Sequence, residues 1–104
     1  MCGFVGVVSR EPQRNRSWLS DGLEKLVHRG PDDGGEWWSE EGRIGLAHRR
    51  LSIFDLSHIG RQPMHNKQHG LSIVFNGEIY NFVELRDEVQ KLGYFFCSKS
   101  DTEV

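Results

Sequence analysis

Apolar residues along this chain fall into short clusters whose spacing changes from one stretch to the next. Phe4, Val5, Val7 and Val8 are β-formers and predict a strand over 3–9. Gly3 and Gly6 within it suggest close backbone approach. A polar loop with Pro12 follows over 10–16. Leu19, Leu23, Leu26 and Val27 then share one face at helical spacing, which predicts a helix over 17–28 with Ser17 as its N-cap. Gly30-Pro31 stops it. Residues 28–35 are too rich in Gly, Pro and Asp for regular structure. A strand over 36–39, a turn at 40–42 and a returning strand over 44–47 come next, with 51–54 as a further strand or its continuation. Residues 55–69 read as a long connection, and unstructured connections of that length are often functional.

In the second half, Leu71 to Phe75 give the clearest strand pattern. Asn76-Gly77 and then Glu78-Ile79-Tyr80 predict a hairpin with a type I′ turn, which needs φ > 0 at both central residues. Asn81 caps an expected helix over 82–92, with Glu84 in the capping-box position and Gly93 at the end. Phe82, Leu85, Val89 and Leu92 form its expected buried stripe, and Asp87 and Lys91 pair at i,i+4 on the outside. A short strand over 94–97 and a loop leading into a first helical turn complete the reading. One turn of helix is not stable by itself. With no repeat, low-complexity tract or linker in view, the expectation is the front part of a longer protein.

Composition narrows the class. A length of 104 residues allows at most one domain, with modest reserve for a core. The net charge of −2 gives no electrostatic case for nucleic acid or an anionic membrane. No apolar run approaches the ~18 residues of a membrane span. The first residues lack the basic-then-apolar pattern of a secretory signal. Two cysteines, Cys2 and Cys97, make no disulfide framework, and the reading is a soluble cytoplasmic protein. No metal site is expected. His65 and His69 stand at i,i+4, but Pro63, Asn66 and Gly70 oppose a helix, and His28, His48 and His58 add no second ligand pair. Trp18, Trp37 and Trp38 lack a basic stripe and read as packing rather than base stacking. Neither a Walker-type phosphate loop nor Gly-x-Gly-x-x-Gly after a strand occurs.

Cys2 is the outstanding candidate for chemistry. Removal of Met1 would place a thiol and an α-amine on one residue. The amine titrates near ~7.7–8.0, so it can take the thiol proton and return one to a leaving group. The plain alternative is a small buried cysteine near a terminus. Arg49 and Arg50 offer planar forks for a carboxylate, or form a solvated basic pair at a strand end. Asn76-Gly77 is most simply a turn, yet the amide and the following N–H can also donate to an oxyanion. Asp101 is a helix-cap residue or an ammonium partner, and Glu78 is most simply a solvated strand residue.

Six stretches in order resemble one family: Met1-Cys2-Gly3, 28–32, 46–53, Gln62-Pro63-Met64, 75–81 and 100–104. The chain is similar throughout to the N-terminal class II glutamine amidotransferase domain of glutamine-hydrolysing asparagine synthetases. The resemblance implies an α+β fold, the N-terminal nucleophile (Ntn) hydrolase αββα sandwich with antiparallel sheets, of which 1–104 is the partial front. It implies that Cys2 is the nucleophile and that Asn76 and Gly77 form the oxyanion hole. Arg50 would pair with the α-carboxylate of glutamine and Asp101 with its α-ammonium, while Glu78, Leu51 and Ile53 line the pocket and Arg29-Gly30-Pro31 borders it. Glutamate and ammonia are then the products. The ammonia passes to a C-terminal synthetase domain, where aspartate, activated as an acyl-adenylate with ATP and Mg, becomes asparagine. No cofactor is implied within 1–104, and a homodimer is the family expectation. Two other readings stand beside it: a related amidotransferase serving a cell-surface sugar or an antibiotic precursor, and a non-catalytic regulatory or interaction module.

Overall fold

The computed structural model describes residues 1–52 and 57–104. Its main sheet has three antiparallel strands: β1 (Gly3–Val8), β2 (Asp33–Trp38) and β3 (Ile44–Arg50), in the order β1-β3-β2. β3 is central, so Ala47 faces Val5 on one side and Glu36 on the other. Helix α1 (Ser17–Lys25) lies against this sheet. Its Leu19 is wholly buried. Gly22 rides on Val5, where an added Cβ would come within 3.2 Å of a Val5 methyl.

The α1 boundaries differ from the expected ones for a local reason. Ser17 lies inside the helix, and Arg16 is the N-cap. Asn15 does the capping work instead: its Oδ1 accepts from the Ser17 N–H at 3.1 Å and the Ser17 hydroxyl at 2.9 Å. The helix closes at Lys25 and passes into turns that end with Gly30 N–H donating to Leu26 C=O.

β2 starts at Asp33, inside the stretch expected to be irregular. The central strand acts as template, because Asp33, Gly34 and Gly35 stand opposite Arg50, Arg49 and His48. Gly35 is required there by contact as well. A Cβ on it would sit 2.2 Å from the Gln62 carbonyl oxygen. β3 likewise runs on to Arg50 rather than stopping at Ala47.

The long connection contains structure. A 3-10 turn at His58–Gly60 leads to β4 (Met64–Asn66), which pairs antiparallel with β5 (Leu71–Ile73). Gly70 sits at φ +64 in the intervening turn. The hairpin therefore lies before the expected one. Neither Asn76 nor Gly77 has positive φ, and 78–80 form no strand. Side chains have taken the backbone groups that a hairpin would use: Phe75 N–H donates to Gln62 Oε1 at 2.6 Å, and Phe75 C=O lies 3.0 Å from His48 Nε2.

Helix α2 (Phe82–Lys91) has the expected extent, less one residue. Asn81 occupies its N-cap position without a side-chain capping bond. Phe82, Leu85 and Val89 are half-buried rather than buried, and Leu92 is 87% exposed. The expected strand at 94–97 is absent. Cys97 and Ser98 N–H groups instead donate to the Glu103 carboxylate at 2.7 and 2.6 Å. A 3-10 turn, Asp101–Glu103, follows, with Ser100 Oγ accepting from Thr102 N–H.

The result is a small α+β architecture with antiparallel sheets. Among the described residues, no helix is long and apolar enough to cross a membrane.

Candidate active site

The buried residues point to the site before any cavity does. Leu19 and Ala47 are the apolar side chains most fully withdrawn from solvent, whereas His48, Arg50, Gln62, Ser98, Ser100 and Asp101 are buried polar groups. Buried polar groups need partners, and a chain that concentrates them in one region is building something other than a core. That region borders a cavity of about 340 Å³ between the first residues, the end of β3, the 75–80 segment and the turn at 100–102.

Cys2, Arg50, Leu51, Asn76, Gly77, Glu78 and Asp101 all line this cavity. Ile53, the remaining candidate, lies outside the described residues. Residues 49 and 50 resolve by strand alternation. Arg50 points into the cavity, with Nη1 donating to Ser57 C=O at 2.9 Å, while Arg49 turns away and donates from Nε to Gly30 C=O at 2.8 Å. Arg50 also lines a second cavity of about 290 Å³ with Asp32, Asp33, Ser52 and His58.

Cys2 is held from both sides. Its Sγ accepts from Leu51 N–H at 3.3 Å, and its carbonyl accepts from Arg29 Nε at 3.1 Å. The same thiol stands 3.7 Å from the Leu51 carbonyl oxygen, to which it donates, so one residue engages it through both backbone polar groups. Arg29 thus borders the site through the Cys2 backbone.

Asp101 is fixed by backbone contact. Its Oδ2 accepts from Ile79 N–H at 2.8 Å. The loop that carries it is clamped from α2: Arg86 donates to Ser98 C=O and Ser100 C=O, each at 2.9 Å, and stacks 4.2 Å over the Phe96 ring. Glu103 closes the other side through Cys97, Ser98 and the Tyr94 hydroxyl. Tyr94 is pushed up from its ordinary value by burial and by the Glu103 charge beside it.

Sequence reasoning gave no role to Gln62, His48, Arg86 or Glu103. His48 is wholly buried, and burial lowers its pKa below the ordinary 6.5. It is therefore neutral, and because a carbonyl only accepts, the proton sits on Nε2 toward Phe75. Its Nδ1 is buried without a partner among the described residues. Asp33 and Arg61 form a two-point ion pair at 2.7 and 3.0 Å at the edge of β2. The Arg61 bond holds the Asp33 carboxyl below its usual range. Among the described residues, no three His, Cys, Asp or Glu side chains are grouped to hold a metal.

The family described as a glutamine amidotransferase domain matches residues 1–104. The chain belongs to this family. Over its whole length this amidotransferase chain is 43% identical to "Asparagine synthetase [glutamine-hydrolyzing] 1" of Bacillus subtilis and spans 17% of that protein. It is 35% identical to "Asparagine synthetase [glutamine-hydrolyzing] 2" of the same organism, of which it spans 14%. It is also 37% identical to "Amidase chry2" of Gibberella zeae, of which it spans 17%. No solved structure matches. The relatives are therefore several times longer than these residues.

Proposed function

We propose that this chain is the front of a glutaminase domain of the Ntn-hydrolase αββα class, continuing beyond residue 104 and feeding ammonia to a C-terminal synthetase domain that makes asparagine. One observation carries the reading most strongly: thiol, amide donor, guanidinium and carboxylate face a single cavity although they lie as far apart in sequence as Cys2 and Asp101.

The chemistry follows from those groups. Glutamine has a carboxylate and an ammonium at one end and an amide at the other. Arg50 takes the carboxylate, Asp101 the ammonium, and the side chain reaches toward Cys2, with Leu51 and Glu78 along the pocket. With Met1 removed, the Cys2 amine accepts the thiol proton. The thiolate forms a C–S bond to the amide carbon, and the carbonyl electron pair moves to oxygen. The Asn76 amide and Gly77 N–H donate to that oxyanion; a single such donor contributes ~3 kcal/mol to the barrier reduction. The C–N bond breaks as the Cys2 ammonium returns its proton, releasing ammonia. Water then cleaves the thioester, giving glutamate and the free thiol.

The names of the synthetase relatives support asparagine as the final product; on this reading the further domain would use ATP and Mg. The relative named as an amidase supports keeping a second reading, in which another acceptor takes the ammonia. The two are separated by incubating the full natural polypeptide with glutamine, aspartate and Mg-ATP. Asparagine formed in step with glutamate is the expected result. Glutamate without asparagine would move the assignment to another acceptor, and neither product would end the glutaminase reading.

A further inference from the structure

The 76–78 segment is bracketed by two backbone N–H groups, and each is held by a buried side chain. On one side, Phe75 N–H donates to Gln62 Oε1 at 2.6 Å. On the other, Ile79 N–H donates to Asp101 Oδ2 at 2.8 Å. The two holders are joined. Gln62 Nε2 donates to the Thr102 hydroxyl at 3.1 Å, and Thr102 directly follows Asp101. Because Phe75 N–H can only donate, the amide oxygen of Gln62 must face it, which leaves the NH₂ for Thr102. Gln62 is 6% exposed and Asp101 is 6% exposed, so neither bond competes with bulk water. Gln62 is anchored in turn by its own backbone, whose carbonyl oxygen lies against Gly35 of β2.

We infer that Gln62 is a positioning residue: with Thr102 it closes a ring, Phe75–Gln62–Thr102–Asp101–Ile79, of three hydrogen bonds completed by the chain itself, that sets the oxyanion donors Asn76 and Gly77 against the ammonium-binding carboxylate. The inference rests on the glutaminase reading above. The ring spans both ends of the substrate. Gln62 and Thr102 border the same cavity, but both polar atoms of the Gln62 amide are taken by Phe75 and Thr102, so the amide acts through the groups it holds; small displacements of a donor from the oxyanion cost far more than their size suggests. Its two bonds act on different quantities. The Phe75 bond governs where Asn76 and Gly77 sit, which is felt in kcat. The Thr102 bond governs where Asp101 sits, which is felt in KM.

The test is steady-state glutaminase kinetics on the full natural polypeptide. Gln62→Met keeps length and volume but removes both bonds. It is expected to lower kcat roughly tenfold to a hundredfold and to raise KM about threefold or more. Thr102→Val opens the ring but leaves the Phe75 bond, so KM should rise by a larger factor than kcat falls. In an Asn76→Ala background, Gln62→Met should cost kcat less than it does alone, since one of the two donors it positions is gone. A general loss of packing would instead multiply fully with Asn76→Ala. That result, or wild-type kinetics in a folded Gln62→Met protein, overturns the inference. If Gln62→Met does not fold, Thr102→Val decides: unchanged KM overturns the ring, and the stated split supports it. Failure of the glutaminase reading is visible separately, because the unmodified polypeptide would then release no glutamate, or Cys2→Ala would release as much.

Discussion

At the residue scale, the proposed chemistry depends on groups held by bonds they do not share with substrate. Cys2 is fixed through Leu51 and Arg29, and Asp101 through Ile79. Arg50 is held by the Ser57 carbonyl, with Gly60 leaving room: a Cβ there would come within 2.6 Å of Arg50 Nη2. Arg50→Lys should therefore raise KM for glutamine roughly tenfold or more, because an ammonium cannot reproduce the fork, and initial-rate kinetics at varied glutamine will show it. Asn76→Ala should lower kcat by about a hundredfold with a smaller change in KM. His48 gives a pH prediction of definite sign. Its folded-state pKa is depressed below 6.5 by burial. The stability that comes from keeping it neutral is fully present above that value and is lost as the pH falls from there toward the depressed pKa. Thermal unfolding at pH 7.5 and 5.5 should thus show a larger drop in Tm for the natural residue than for His48→Gln.

At the element scale, the legible parts were those governed by local pattern. β1, α1 and α2 follow from Phe4 to Val8, from Leu19 and Leu23, and from Phe82 to Val89. What was not legible depended on long-range pairing. Asp33-Gly34-Gly35 carries no β propensity, and β3 makes it a strand. Asn76-Gly77 carries the strongest local hairpin signal, yet His48 and Gln62 occupy both polar groups of Phe75 and no strand can pair there. The roles of His48 and Gln62 were hidden for the same reason: a lone His and a Gln before Pro63 have no periodicity that marks them as buried partners. Residue chemistry alone makes Cys2, the Arg49-Arg50 pair, Asn76-Gly77 and Asp101 candidates, whereas the choice of Arg50 over Arg49 and the place of Leu51 come from the family resemblance. Gly30 tests the packing beside them. A Cβ there would fall 2.4 Å from the Arg49 carbonyl carbon and the Arg50 nitrogen. Gly30→Ala should cost about 1–3 kcal/mol in stability and shift Arg50, read as a lower denaturant midpoint together with a raised KM.

At the scale of the whole molecule, residues 1–104 combine a well-formed polar site with little apolar burial. Leu71, Tyr80, Leu92 and Phe95 are each more than half exposed, and α2 has no fully buried residue. The chain spans 17% and 14% of two synthetase relatives, and on the proposed reading further chain covers these groups. Residues 1–104 expressed alone should therefore unfold without a sharp cooperative transition and bind a hydrophobic dye, whereas the full polypeptide should do neither.

The proposed glutaminase chemistry turns on the thiol of Cys2. The most direct measurement is glutamate release from glutamine by the full natural polypeptide, unmodified and as Cys2→Ala, alongside the mass of its N-terminal peptide. That chemistry requires a peptide that begins at Cys2 and a substitution that abolishes glutamate release while leaving the fold intact. Undiminished release by Cys2→Ala, or an active protein that keeps Met1, would contradict it.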